Sequence, residues 1–250
     1  MGLNPAAILA DAWGAFRRDR EVLLAIAGAL WFAPTFALIL FVPGPPMLAH
    51  APEAASPEAQ RYVAQLTTWT ATQGGWYLLR AIVDAWATAS VFALYLDRTR
   101  PDVAEALAIG VRLLPRFMLL TALVGVLALA GLALWVVPGI WMLARMAAAA
   151  PALVAERPLG ALAAVGRGWR MSRGAGLMLM GPVGIALALG WLLPRPFLAL
   201  DGWLRARPDG ANVVAVATVD ALAAAAEAAA AIAAALIAVS AYRALARKGI

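Results

Sequence analysis

Five charged residues lie inside long apolar stretches of the sequence and are its main candidates for chemistry: Arg80, Asp84, Arg145, Asp220 and Glu227. If these stretches cross a membrane, each charge costs roughly 2.5–3.5 kcal/mol at the bilayer centre, so it should face the bundle interior and pair. Asp84 follows Arg80 by one helical turn, and Glu227 follows Asp220 by two turns. Each pair therefore shares one helix face. Such a group of carboxylates and guanidinium ions could bind an ion or pass a proton.

The depth of these charges predicts how they pair. Counted from the ends of their stretches at 1.5 Å per residue, Arg80, Arg145 and Asp220 lie about 9–11 Å deep. We expect them to lie near one another, with Asp220 as the counter-ion of Arg145. Glu227 lies about 10 Å deeper than Asp220. Without a basic partner, Glu227 should be protonated or line a wet cavity.

Two interpretations of this intramembrane charged cluster stay open. The cluster could form a polar pocket or an ion or proton path in the middle of the membrane. Alternatively, it could be a buried set of salt bridges that fixes the register of the second, fourth and sixth spans.

Most other catalytic chemistry is excluded by the residue inventory. The chain has no cysteine, which excludes disulfides and thiolate chemistry, and its single histidine is His50. Neither an HExxH nor a G-x-S-x-G motif is present. We therefore expect no catalytic residue, no metal site, no cofactor and no enzymatic activity.

The composition predicts a membrane protein. Of 250 residues, 64% are hydrophobic and 14% are charged, and the mean hydropathy is +0.82. A soluble domain is about half apolar and a quarter charged. The fold class is predicted to be all-α, a single polytopic membrane domain (residues 1–250) with six transmembrane helices arranged as three helical hairpins. The spans are predicted at 21–42, 74–96, 117–137, 139–155, 175–193 and 213–242.

Proline and glycine positions predict where these spans bend or end. Pro34 should kink the first span. A turn at Pro138–Gly139 should separate the third span from the fourth, and residues 194–212 should form a loop.

A cytoplasmic amphipathic helix at the membrane surface is predicted before each hairpin, at 4–20, 101–116 and 158–173. Arginines of these helices are expected at anionic lipid headgroups. They are Arg17, Arg18, Arg112, Arg116, Arg167, Arg170 and Arg173. A plainer interpretation is that they only set the topology and anchor the helices at the interface.

The distribution of positive charge predicts the topology. Fourteen Lys and Arg residues lie on the side of both termini, four lie on the other side, and Arg80 and Arg145 lie within spans. Cytoplasmic loops carry the excess of positive charge, so both termini should be cytoplasmic in a bacterial inner membrane. The 194–212 segment carries three of the four exceptions, which nearby Asp201 and Asp209 could offset.

The spans also suggest an internal repeat, with units at about 4–96, 101–156 and 158–242. The pattern W-x-x-P occurs at Trp31, Trp135 and Trp191, and W-x-L-x-R occurs at Trp76 and Trp141. The last two copies of W-x-x-P are 56 residues apart. Tryptophan is common at membrane interfaces, so chance could also produce this pattern.

The Pro138-Gly-Ile140 sequence, the small-residue run to Pro151 and the segment 160–174 (GALAAVGRGWRMSRG) carry a resemblance. They look like a bacterial family of six-helix inner-membrane proteins that includes the membrane domain of glycerophosphoryl diester phosphodiesterases. The resemblance covers about 135–176, and the rest of the chain is similar in hydropathy alone. It implies a fold and a membrane location, and it implies no catalytic residues.

Two functions are compatible with the sequence. The first is a non-enzymatic inner-membrane protein that organises membrane lipids or a partner membrane protein, possible partners including a second copy of the chain but no nucleic acid. The second is a small transporter that uses the intramembrane charged cluster. A transporter should have a cavity that reaches the cluster, whereas a scaffold should have the cluster dry and fully paired.

Overall fold

A computed structural model describes residues 4–46, 56–207 and 212–247. Within these ranges the chain forms ten α-helices and one π-helical segment, and no strand. His50, Asp209 and Lys248, together with residues 47–55 of the predicted 43–60 loop, lie outside the described residues. The helices are α1 Pro5–Ala27, the π-helical segment Gly28–Phe32, α2 Ala33–Phe41, α3 Pro57–Leu96, α4 Val103–Leu134, α5 Val136–Met146, α6 Ala149–Ala155, α7 Ala161–Met171, α8 Gly176–Leu192, α9 Arg195–Arg205 and α10 Val213–Ala246.

Six helical stretches in the described part of the chain are long and apolar enough to cross a membrane. This confirms the all-helical class and the number of spans, and it indicates a multi-pass membrane protein. The stretches are Pro5–Phe41, Pro57–Leu96, Val103–Leu134, Val136–Ala155, Gly176–Arg205 and Val213–Ala246.

The first stretch is one bent helix, whereas the sequence predicted a surface helix at 4–20 and a separate span at 21–42. Asn4 caps its first turn by accepting from the Ala6 amide at 3.0 Å. The helix bends at Asp19, whose φ of −113° and ψ of 21° are not helical. The π-helical segment then follows just before Pro34. Because proline cannot donate to the preceding turn, the wider π geometry accommodates it, and the predicted irregularity lies here.

The third stretch is also continuous across the predicted boundary at residue 116. Asp102 accepts from the Glu105 amide at 2.8 Å, so α4 begins at Val103 and not at Pro101. It ends at Leu134 because Trp135 is extended, with φ −179° and ψ 167°. The turn is therefore at Trp135, and the prediction of a turn at Pro138–Gly139 is wrong. Pro138 lies in the first turn of α5, where a missing amide costs no helical hydrogen bond.

Two other predicted elements differ from the structure. The fourth span is divided into α5 and α6 by a short turn after Met146. The predicted loop at 194–212 contains the helix α9, which packs against α10 and extends the fifth stretch. Proline and aspartate near residues 194–201 suggested a loop, but Pro194 and Pro196 occupy the start of this helix, where proline is tolerated.

Helix α10 is the centre of the bundle. It packs against α1, α2, α3, α6, α8, α9 and the π-helical segment. Its long alanine tract presents little side-chain volume, so neighbouring helices can approach from several directions. The larger residues Leu236, Val239 and Leu245 are fully buried between them near the second half of α10.

The three W-x-x-P sequences occupy different local structures. Trp31 is buried in the π-helical segment, at 4% exposure, with Pro34 in α2. Trp135 is the exposed residue of the α4–α5 turn, and Trp191 is exposed near the end of α8. The shared letters therefore do not produce a shared local geometry.

The contact between α7 and α6 gives a test of the packing. A Cβ added at Gly168 would lie 2.9 Å from the backbone nitrogen of Ala149, so a helix would have to shift. We expect Gly168→Ala to lower the free energy of unfolding in detergent by about 1–3 kcal/mol. Gly184→Ala is the matched control because a Cβ there meets no atom within 4 Å. Equal stability of the two variants in denaturant titrations would contradict this close contact.

Candidate functional site

Polar side chains occur at three levels along α10, marked by Asp220, Glu227 and Tyr242. At 1.5 Å per residue, Glu227 lies about 10 Å from Asp220 and about 22 Å from Tyr242. The outer two levels are thus about 33 Å apart, close to the hydrocarbon thickness of a bilayer, which is about 30 Å. Glu227 lies between them, at a depth where few charges are tolerated.

The level of Asp220 is an ion-pair chain between α9 and α10. Asp220 is fully buried, and its Oδ2 accepts from Arg205 at 2.7 Å. The Nε of Arg205 donates to Asp201 at 2.6 Å. The prediction that Asp220 is the counter-ion of Arg145 is therefore wrong, because the partner comes from a segment that was predicted to be a loop. The prediction that Asp201 offsets a nearby positive charge is confirmed.

The level of Tyr242 holds a second polar layer, which the sequence analysis missed. Glu156 accepts from Arg167 Nε at 2.9 Å and from the Tyr242 hydroxyl at 3.0 Å. Asp97 pairs with Arg157. These contacts join the ends of α3, α6, α7 and α10. The available signal was the presence of acidic residues, Asp97 and Glu156, at the start of segments rich in arginine.

The bend of α1 belongs to the same layer. Asp19 accepts from the Tyr95 hydroxyl at 2.8 Å and from Arg18 at 3.1 Å. The backbone oxygen of Tyr95 in turn accepts from Arg243 at 2.9 Å. The kink of α1 is thus fixed to the ends of α3 and α10.

Most of the arginines predicted at lipid headgroups are exposed. Arg167 differs, because it is partly buried and its guanidinium binds Glu156. Arg18 is exposed but pairs with Asp19. The other five predicted headgroup arginines are exposed, and they are Arg17, Arg112, Arg116, Arg170 and Arg173.

Arg145 is separate from the other intramembrane charges, so its predicted membership of one cluster is wrong. It is buried, at 7% exposure, and donates to the backbone oxygen of Ser172 at 2.7 Å. Ser172 donates back to the Arg145 backbone oxygen at 2.8 Å. The guanidinium carbon also lies 4.1 Å from the ring centroid of Trp169. Among the described residues no carboxylate pairs with it, so the carbonyl at the end of α7 and the aromatic face supply its negative partner.

The remaining three charges form the candidate site. Arg80 donates to Glu227 at 2.5 Å, and its Nε lies 3.5 Å from Asp84 Oδ2. The prediction that Arg80 and Asp84 share one face of the helix is confirmed. Glu227 has a basic partner, Arg80, on a different helix. This charged trio therefore connects α3 to α10 at the level between Asp220 and Tyr242.

The charged trio lines a cavity of about 500 Å³ between α3, α8, α10, the π-helical segment and α2. Trp31, Thr35 and Thr88 contribute to its wall. The facing residues of α8 and α10 are small, mainly alanine together with Gly190, and their missing side-chain volume creates the space. The cavity is within the roughly 300–1,000 Å³ range of small-molecule sites.

The charges of the trio do not cancel. One guanidinium faces two carboxylates, so the ionised trio has a formal charge of −1. Arg80 Nε is buried and makes no hydrogen bond with the described residues. A net charge at this depth is unfavourable unless a proton or a cation joins it. The arrangement can therefore exchange a proton or hold a positively charged group.

Comparison of the chain with known protein families, with curated proteins and with solved structures found no match.

A pair of double-mutant cycles can check this pairing. We expect Arg80→Gln and Glu227→Gln to show a coupling energy of about 0.5–3 kcal/mol in unfolding measurements, because the two side chains are in direct contact. The matched cycle of Arg145→Gln with Asp220→Asn should be additive to within about 0.5 kcal/mol. Strong coupling in the second cycle and none in the first would restore the pairing predicted from depth alone.

Proposed function

We propose that the chain is a multi-pass protein of the bacterial cytoplasmic membrane that binds and moves a small polar solute through the cavity at Arg80, Asp84 and Glu227. The single observation that carries this proposal is the cavity itself. A cluster that only fixed helix register would be packed dry. Here the charged trio instead borders an empty space large enough for a small molecule.

The charge of the trio supports a coupled mechanism. Arg80 is within reach of both Glu227 and Asp84, so it can stay paired when one of them is neutralised. A proton or a positively charged solute would neutralise that carboxylate. Release of that proton or solute on the other side of the membrane would return the carboxylate to its ionised form. The two acids would therefore act as the exchangeable group, and Arg80 as the fixed charge.

The proposed topology has three hairpins with both termini in the cytoplasm, as the excess of arginine on that side indicates. The parts of the chain at 4–20, 101–116 and 158–173 would lie at the cytoplasmic interface, with their exposed arginines near anionic headgroups. The likeness of 135–176 to the membrane domain of glycerophosphoryl diester phosphodiesterases is consistent with this arrangement and adds no catalytic step.

A second candidate function is the organisation of lipid or of a partner membrane protein. It is favoured by the long first part of α3, where no residue of 57–84 is buried. A partner helix could pack along that side. The two candidates differ in what they require of the cavity, since a scaffold does not need solvent to reach Glu227.

Access to the cavity can be tested with single cysteines, because the sequence contains none. Ala231 lines the cavity on α10, and Ala224 of the same helix is fully buried. We expect Ala231→Cys to react with a membrane-impermeant methanethiosulfonate reagent added to one side of sealed vesicles. Ala224→Cys should stay unmodified. If Ala231→Cys is as unreactive as the control from both sides, the cavity does not open to water and transport is excluded.

The role of the acids can be tested by proton flux. In liposomes containing the protein and a pH-sensitive dye, we expect at least one member of a panel of small cations and polyamines to drive proton movement. Glu227→Gln should lower that rate at least tenfold, because the exchangeable group is lost. Arg112→Gln, an exposed change outside the cavity, should leave it unchanged. A wild-type rate in Glu227→Gln, or no flux with any solute, would contradict the proposal.

A further inference from the structure

A second space in the bundle is apolar, unlike the cavity that the charged trio lines. It is a groove of about 510 Å³ between α1, α8 and α10, and every side chain that lines it is apolar. Trp13, Phe16 and Leu24 form the α1 side, and Ile185 and Leu189 form the α8 side. The floor is the alanine face of α10. The groove uses a different face of α10 from the cavity at Glu227, with Ala228 at the boundary between them.

The bend at Asp19 creates this groove. Residues on both sides of the bend, such as Trp13 and Leu24, line the same space, so the two halves of α1 are folded around it. Gly28 and the alanines of α10 line this space, and they have too little side-chain volume to fill it. Trp13 and Leu24 remain more than half exposed, at 60% and 55%. The space is therefore open to whatever surrounds the bundle.

The surroundings of the groove in a membrane are lipid. It lies beside α8 and α10, which belong to two of the six apolar spanning stretches. An apolar space at that position excludes water and is filled by hydrocarbon. An acyl chain has the chemistry and the flexibility to occupy it.

The bend of α1 beside the groove carries positive charge. Arg17 follows Trp13 by one turn and so extends the lining face of α1 to the bend, and Arg20 follows Asp19 directly on the other side of the bend. Both side chains are exposed, and neither pairs with a carboxylate of the described residues. Arg18, on another face, is held by Asp19. Two exposed guanidinium groups at the bend beside an apolar groove match a phosphate with an attached acyl chain.

We propose that the groove is a site for one anionic phospholipid, with an acyl chain against Trp13, Leu24 and α10 and its phosphate at Arg17 and Arg20. The site fixes the bent form of α1, because the lipid fills the space inside the bend. Its occupancy does not depend on the solute-binding function proposed above.

The test is native mass spectrometry of the purified full-length protein with equal amounts of phosphatidylglycerol and phosphatidylcholine. We expect the wild type to retain one phosphatidylglycerol after detergent washing, with at least a tenfold preference over phosphatidylcholine. The double change Arg17→Gln with Arg20→Gln should remove that preference. The control double change Arg61→Gln with Arg195→Gln removes two exposed arginines that do not line the groove and should keep it.

A groove-filling variant separates the acyl chain from the headgroup. Ala229 is exposed on the groove floor, so Ala229→Phe should abolish retention of both lipids while the thermal unfolding of the protein remains cooperative. Retention unchanged in Ala229→Phe, or equal preference in the two arginine double variants, would overturn the proposal. So would a wild-type dimer that becomes a monomer in Ala229→Phe, because the groove would then be covered by a second copy of the chain.

Discussion

A charge in hydrocarbon must find a partner inside the protein, and this constraint accounts for the contacts of Arg80, Arg145, Asp220 and Glu227. Asp220 finds Arg205, Glu227 finds Arg80, and Arg145 finds a helix-end carbonyl and a tryptophan ring. Each solution joins two parts of the chain that are distant in sequence. The helices are apolar enough to insert into a membrane, but contact between apolar helix faces favours no single arrangement strongly. The polar contacts define which arrangement is adopted.

The alanine tract of α10 makes that arrangement possible. Bulky residues on a central helix would hold its neighbours apart, beyond the reach of an arginine side chain. The same small residues have a second effect, because the places where no neighbour fills the gap become the cavity and the groove. The cavity at Glu227 and the close packing of the core thus come from one compositional feature, the small side chains of α10.

The sequence was sufficient to predict the helical class, the six apolar stretches and the Arg80–Asp84 pair, because hydropathy and helical periodicity are local properties. The pairing of Asp220 depended on a helix after Pro194, and proline there suggested a loop although it is tolerated at a helix start. The depth estimate placed Arg145 beside Asp220, but depth along one helix does not determine which neighbouring segment a side chain meets, and Arg145 binds the Ser172 carbonyl at the end of α7. Cavities depend on side-chain volume missing from several helices at once, and no local pattern encodes that.

The 40-residue helix α3 has a consequence for how closely anything can approach this protein. Arg80 places the level of Glu227 on α3, and from there the level of Asp220 falls near Gln73. The helix continues for 16 more residues to Pro57, a rise of about 24 Å. On that side α3 extends well beyond the level of Asp220, and a neighbouring membrane or protein layer would have to accommodate this extension.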